Sequence, residues 1–288
     1  MTRYLSADIG DYPDGIVLPV DKPYRWTSAD VIRKVKWAAC RHFGKKNLKV
    51  GHAGTLDPLA TGLLLVCIGA ATRRAEALQA SPKQYLAGVV FGETTPSFDL
   101  EKDIDATHPL SGVSETSVRA VLPRFLGEQM QVAPLFSAKS VDGVRAYETA
   151  RKRLRQAQAE GRPFDDGGGL LQASRISVYG LELESFGAFV PPDVPVEDAR
   201  GRIRVADVRG YDLRLARIRV DCSKGTYIRA LARDLGEALG SGAFLGSLRR
   251  TRNGPYDISQ AISLDDALAL LQAPAGANTG VSDAGLAR

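Results

Sequence analysis

Gly51-His52-Ala53-Gly54-Thr55-Leu56-Asp57-Pro58-Leu59-Ala60-Thr61-Gly62-Leu63-Leu64-Leu65-Val66-Cys67-Ile68-Gly69 constrains this chain more than any other stretch. Gly51, Gly54 and Gly62 permit backbone angles closed to other residues, which predicts a tightly folded loop. Pro58 biases Asp57 away from the helical region, so its carboxylate is expected on extended backbone. Residues 63–68 are short and continuously apolar, as in a strand buried on both faces. An acid on a rigid loop that feeds a buried strand is one way to hold a reactive carboxylate still. An Asp in a glycine-rich loop serves equally as an Asx-turn or a helix cap, and spacing alone does not separate the two readings.

The 288 residues, 44% hydrophobic and 25% charged, are ample for a sizeable core in one large domain or two modest ones. A net charge of +5 suits a polyanionic partner without requiring one. Cys40, Cys67 and Cys222, with His42, His52 and His108, are scattered and form no metal-ligand or disulfide pattern. Reduced thiols and a cytoplasmic location are expected. Residues 1–12 are polar, with Asp8 and Asp11, unlike a signal peptide, and no apolar run approaches membrane-spanning length.

Along the chain, residues 1–14 read as a lead-in and 16–20 as a strand. Ser28 is the expected N-cap of a helix over 29–42, with Val31, Ile32, Val35, Ala38 and Ala39 as its apolar stripe. Arg33, Lys34, Lys36, Arg41, Lys45, Lys46 and Lys49 follow with no acid among them. They read as a solvated face or as a phosphate-contacting patch. Residues 72–80 suit a short helix, 85–91 a strand and 92–99 a polar turn. A helix over 116–126 is kinked or shortened by Pro123, and 160–169 is a flexible loop. Short strands are expected at 174–178 and 181–183, and an insertion of unassigned role at about 186–210. Residues 213–222 alternate as a strand that leads into a helix with Leu231, Ala232, Leu235 and Leu239 inward. Ser263-Leu264-Asp265-Asp266 suits a capping box for a last helix, and the tail, 271–288, should fray.

The central stretch resembles the loop of the TruB-type tRNA pseudouridine synthases, G-H-x-G-T-L-D-P-x-A-x-G-x-L, and meets every specified position. Residues 15–28 resemble that family's first motif, with Lys22-Pro23 and Thr27-Ser28 in place, Gly15 one position early and Arg25 where a glycine stands. Lys83-Gln84-Tyr85 resembles its K-x-Y motif. Residues 137–147 resemble a thumb segment, about 133–165, that closes on RNA, with Lys139 one place early and Ser140 in the lysine's slot. Cys222 to Arg229, followed by Asp234-Leu235-Gly236, resembles the third motif, and Leu248-Arg249-Arg250-Thr251 with Gly254 the last one. Arg249, Arg250 and Arg252 read either as solvated or as phosphate ligands.

The resemblance covers about residues 15–270. It implies an α+β pseudouridine synthase fold: a mixed, largely antiparallel sheet with helices and loops around a central catalytic cleft. It implies isomerisation of uridine to pseudouridine at position 55 of the tRNA T-loop, with Asp57 as catalytic carboxylate, Tyr85 stacking on the base and Arg229 pairing with Asp57. An arginine in the first turn of a helix gains nothing from the helix dipole, so a carboxylate partner explains it better. His52, Lys22, Lys83, Leu248 and Arg145 are expected on the substrate side, His52 equally as a packed brace. No cofactor or metal is expected, since nothing is oxidised or donated. The T-arm of tRNA is the expected partner of a monomer with no obligate protein partner, no membrane association and no C-terminal PUA domain. A guide-dependent rRNA enzyme and a non-catalytic RNA-binding or tRNA-folding module are the alternatives.

Overall fold

The computed structural model describes residues 5–272 except 138, 142–143, 163, 165–169 and 199–200. Residues 1–4 of the lead-in, the tail from 273, and 163 and 165–169 of the expected flexible loop lie outside them. Among the described residues no helix is long and apolar enough to cross a membrane.

Strand β1 (Ile16–Lys22) outruns its expected end by two residues and leads into helix α1 (Ser28–His42). The cap of α1 is Thr27 rather than Ser28: the Asp30 amide donates to the Thr27 hydroxyl at 3.0 Å, and the Thr27 amide donates back to the Asp30 carboxylate. This frees Ser28 for a contact described below. The chain continues through β2 (Val50–His52), β3 (Ala60–Ile68), a 3-10 turn, α2 (Ala75–Ala80), β4 (Lys83–Phe91), β5 (Glu93–Thr94), β6 (Ala106–Thr107) and α3 (Glu115–Val121). Pro123, which lacks an amide proton, ends α3 at Val121 and opens a 3-10 turn, Leu122–Phe125, so the helix is shorter than its apolar spacing suggests.

Next come β7 (Gly127–Gln131), β8 (Ser140–Val141), β9 (Val144–Arg145), α4 (Ala146–Ala159) and β10 (Ser174–Ala188). The two short strands expected at 174–183 are one 15-residue strand. Its register shifts between Val178 and Gly180 and between Leu183 and Ser185. Such bulges break the period-two pattern that would have revealed its continuity. The chain closes with β11 (Arg214–Cys222), α5 (Ile228–Ala238), β12 (Ala243–Asn253), β13 (Tyr256–Asp257), β14 (Ile262–Ser263) and α6 (Leu264–Gln272).

Two compact units result. The first comprises the described residues up to Tyr85 together with those from Arg249 onward; the second is Leu86–Leu248. The boundaries fall inside β4 and β12, so each of these strands contributes to both units. In the first unit the strand order is β14-β1-β3-β12. β1 and β3 run antiparallel from Ile16↔Ile68 to Lys22↔Gly62, while β14 joins β1 in parallel. Leu63 to Ile68 of β3 are wholly buried, as a strand covered on both faces must be. Val17, Leu63, Leu65, Cys67 and Tyr256 pack in one core cluster, and α1 lies against α6. In the second unit the order is β4-β11-β10-β7, with β10 antiparallel to both of its neighbours. The sheet pattern is mixed and largely antiparallel, as expected.

The expected insertion in fact begins inside β10. Beyond it, Ile203, Val205, Ala206 and Val208 are buried. The Ala206 amide donates to the Leu100 carbonyl at 2.8 Å, and Arg204 pairs with Asp103 at 2.5 Å.

Candidate active site

Asp57 opens a tight turn, Asp57-Pro58-Leu59-Ala60, closed by the Ala60 amide donating to the Asp57 carbonyl at 3.1 Å. Proline in the second position pre-sets such a turn. Gly54 and Gly62 take φ of 102° and 97°. A Cβ on Gly62 would lie 2.3 Å from the Arg250 carbonyl, so glycine here also admits the β12 backbone. Gly51, expected to share this role, is an ordinary residue of β2 with no atom close to where its Cβ would stand. The Asp57 side chain is half-buried.

The loop is held by side chains that come from far away in sequence. Arg250, 1% exposed, donates from Nε to the Leu63 carbonyl at 2.7 Å, and from its two terminal nitrogens to Thr55 at 3.3 Å and Gly54 at 3.0 Å. Asn253 Nδ2 donates to the Ala53 carbonyl at 3.0 Å. Ser28 Oγ, inside α1 because Thr27 takes the cap, donates to the Leu56 carbonyl at 3.0 Å and accepts from the Leu56 amide at 2.9 Å. Lys22 Nζ donates to Pro23 at 3.0 Å, to Trp26, and to Pro58 at 3.3 Å. The carbonyls of Ala53, Gly54, Thr55, Leu56 and Pro58 are therefore all fixed by side chains, and Asp57 lies between two of them.

Two buried cations set the local field. Burial lowers the Lys22 ammonium to about 7; the Asp57 charge pulls it back up and Arg250 pushes it down. Burial, then Arg250, also lowers His52, which favours the neutral ring. Its Nδ1 is buried with no hydrogen-bond partner.

Tyr85 lies in β4, 8% exposed. Lys22 and Lys83 were expected to touch substrate, but both are buried with their ammonium groups turned inward. Lys83 donates to the Gln79 carbonyl and, at 2.6 Å, to that of Ser81. Leu248 is half-buried in β12. The side chain of Arg145 lies outside what is described. Lys139 donates to Ser174 Oγ at 2.6 Å, tying the thumb segment to β10. Of the triple Arg249-Arg250-Arg252, neither the solvated nor the phosphate reading fits Arg250. Arg249 holds Asp21 at 2.6 Å, and Arg252 is the exposed residue of the three.

In the second unit, Arg229 is the second residue of α5 and is buried. Its Nε lies 3.5 Å from Asp99 Oδ2, and its Nη1 donates to the Ser97 carbonyl at 3.0 Å. Asp99 is oriented in turn: its Oδ1 accepts from Ser97 Oγ at 2.6 Å and from the Glu101 amide at 2.9 Å. One turn further along α5, Arg233 stacks over Phe98 at 5.4 Å, and Phe98 adopts φ 54°. The segment read as a polar turn is thus a buried carboxylate platform for α5. Asp99 and Asn253 were not singled out from sequence, and Ser28 and Arg250 were read there in other roles, as a helix cap and as a solvated or phosphate-holding arginine. Their neighbours gave no signal, because each works through a contact formed only in the folded chain.

A family model described as TruB family pseudouridylate synthase (N terminal domain) matches residues 41–163. A second, the tRNA pseudouridylate synthase B C-terminal domain, matches residues 229–278. The tRNA pseudouridine synthase B of Phocaeicola vulgatus is 43% identical over 255 residues, 88% of this chain and 92% of that protein. That of Bacteroides thetaiotaomicron is 45% identical over 252 residues, 88% of this chain and 91% of that protein. Among solved structures, a Cbf5-Nop10-Gar1 complex is similar at a TM-score of 0.55 and 28% identity, over 90% of this chain and 55% of that one. An H/ACA RNP bound to a substrate RNA containing 2'-deoxyuridine is similar at 0.55 and 24%, over 90% of this chain and 54% of that one, and shows the shared fold. This chain spans a little over half the length of those two structural relatives.

Proposed function

The chain belongs to the TruB family and is a tRNA pseudouridine synthase, and from that premise we propose that Asp57 is its catalytic carboxylate and uridine 55 of the T-loop its target. The observation that carries this reading is the bracing of the Asp57 loop. Five carbonyls around one half-buried acid are held by buried donors from β1, α1 and β12. A structural Asx-turn needs no such support; a carboxylate that must meet a reacting carbon within a few tenths of an ångström does.

Pseudouridine is an isomer of uridine. The bond from N1 to C1′ breaks, the base turns while held, and C5 bonds to C1′. The C5 proton is lost and N1 gains one, so atoms balance without a redox partner. Asp57 acts ionised, as nucleophile or base. The Arg250 guanidinium and Lys22 Nζ lie behind its loop, holding the carbonyls of Thr55, Gly54 and Pro58. Tyr85 offers the flipped uracil a ring to stack on, worth about 1–3 kcal/mol, and extraction of the base from its stack costs a few kcal/mol. Neutral His52 sits on the same loop, suited to packing against RNA where the base has left. Arg229 is the arginine of the proposed chemistry, and Asp99 keeps its guanidinium in place. Lys22 and Lys83 act as internal braces rather than as the substrate contacts expected of them.

The test uses tRNA transcript tritiated at uridine C5. The chain releases tritium to water, Asp57→Asn releases none while still binding tRNA, and a transcript with cytidine at position 55 is inert. Release by Asp57→Asn at more than a hundredth of the parent rate removes that residue from the chemistry. Release from the cytidine-55 transcript removes the position.

A further inference from the structure

Helix α1 carries a feature that the isomerisation does not use. Trp37 stands on its solvent face, 55% exposed, with the Arg41 guanidinium 4.9 Å from the ring centroid. Arg41 is one turn on from Trp37 and Arg33 one turn back, along a single line of the helix. Arg33, Lys34, Lys36, Arg41, Lys45, Lys46 and Lys49 are all exposed, with no acidic residue between Val31 and Val50. Asp30, itself buried, pairs with Arg33 at 2.7 Å and offsets that one charge, which leaves the other six cations of the run.

We propose that Trp37, held by Arg41, is a stacking platform for an unpaired or terminal base of the tRNA outside the reacting uridine, with the flanking lysines and arginines on the adjoining phosphates. The inference rests on the reading that this chain acts on tRNA. An exposed indole among seven cations suits a polyanion that also presents flat rings, because phosphate supplies the complementary charge and a base the complementary surface. A basic face without the ring would be explained by solvation alone; a lone tryptophan without the cations would suit an apolar partner. The arginine stacked against the indole limits its rotamers, which lowers the entropy lost when a base arrives.

The helix also sets the distance. Ser28 is bonded to Leu56, next to Asp57. Trp37 lies nine residues further along, about 14 Å at 1.5 Å per residue. The contact lengthens the RNA footprint and does not enter the chemistry.

The experiment measures the Kd of full-length tRNA for the parent chain, Trp37→Ala, Trp37→Phe and Arg41→Ala across a salt series, with thermal melts to confirm that each variant folds. Trp37→Ala should weaken binding about 5- to 150-fold, the range of one base–aromatic stack, and the deficit should persist at high salt. Trp37→Phe should recover most of it. Arg41→Ala should flatten the salt dependence by about one phosphate. An unchanged Kd for Trp37→Ala overturns the proposal, as does a failure of phenylalanine to restore binding. If sedimentation shows self-association that Trp37→Ala abolishes while tRNA affinity holds, the patch is a protein interface and the proposal is wrong. Tritium release by the parent chain is scored separately. Its absence counts against the proposed target and leaves the binding comparison readable.

Discussion

Arg250→Met removes the guanidinium beneath the Asp57 loop and keeps an apolar side chain of similar length. Three carbonyls, those of Leu63, Thr55 and Gly54, lose their donor in a site where Arg250 is 1% exposed. Each unsatisfied buried carbonyl costs about 1–3 kcal/mol. Against this, the variant is relieved of the desolvation of a buried cation. Water entering the vacated space recovers part of the loss, so the net destabilisation is set near the low end, about 3 kcal/mol. In a chain of this size that lowers the melting temperature by roughly 6–12 °C. Catalysis should suffer more than stability, because an error of about 1 Å in placing the carboxylate costs on the order of 100-fold. The assay is single-turnover tritium release at a temperature where the variant is folded, paired with a thermal melt. Arg250→Lys keeps the charge but cannot fork to three acceptors, so it should regain part of the melting temperature and little of the rate. A Met variant that turns over within twofold of the parent, or a Lys variant with full activity, refutes the bracing role.

Two further outcomes follow from the same geometry. Asp99→Asn removes the charge that orients Arg229 and leaves its shape, so release should fall on the order of 10- to 100-fold, as for other oriented polar groups at active sites, with tRNA affinity unchanged; a variant with the parent rate would unlink the pair from turnover. Lys22 is lowered in the fold to about 7 from 10.5. Between those values the unfolded chain binds more protons than the folded one, so this residue makes stability rise with pH across that window. Urea melts at pH 7.5 and 9.5 should show that rise in the parent and a smaller one in Lys22→Met; equal slopes would contradict the buried-ammonium account.

Local chemistry explains what was legible in the sequence. The apolar run at Leu63 to Ile68, the alternation of β11, the turn at Pro58 and the stop at Pro123 are each decided by neighbours in sequence. The motif positions Asp57, Tyr85 and Arg229 drew attention because they stand in recognisable strings. Arg250 could not be distinguished from Arg249 or Arg252, since three arginines in four residues look alike until β12 is laid beside β3. Asp99 was hidden for the same reason, being one polar residue in a polar turn, and its burial comes from α5. Arg25 shows the converse. It occupies a place where the resembling motif has glycine, and the structure accommodates it at φ 61°, so the turn survives the substitution.

Arg250 also has a consequence in time. The carbonyls it holds belong to residues 187 to 196 positions earlier in the chain. A ribosome adding about 5–20 residues per second needs on the order of 10–40 s to span that interval. During it the nascent loop already contains Asp57 but lacks its buried support. The Asp57 loop is thus assembled in two instalments: the acid is made early, and the residue that braces its loop arrives only with β12.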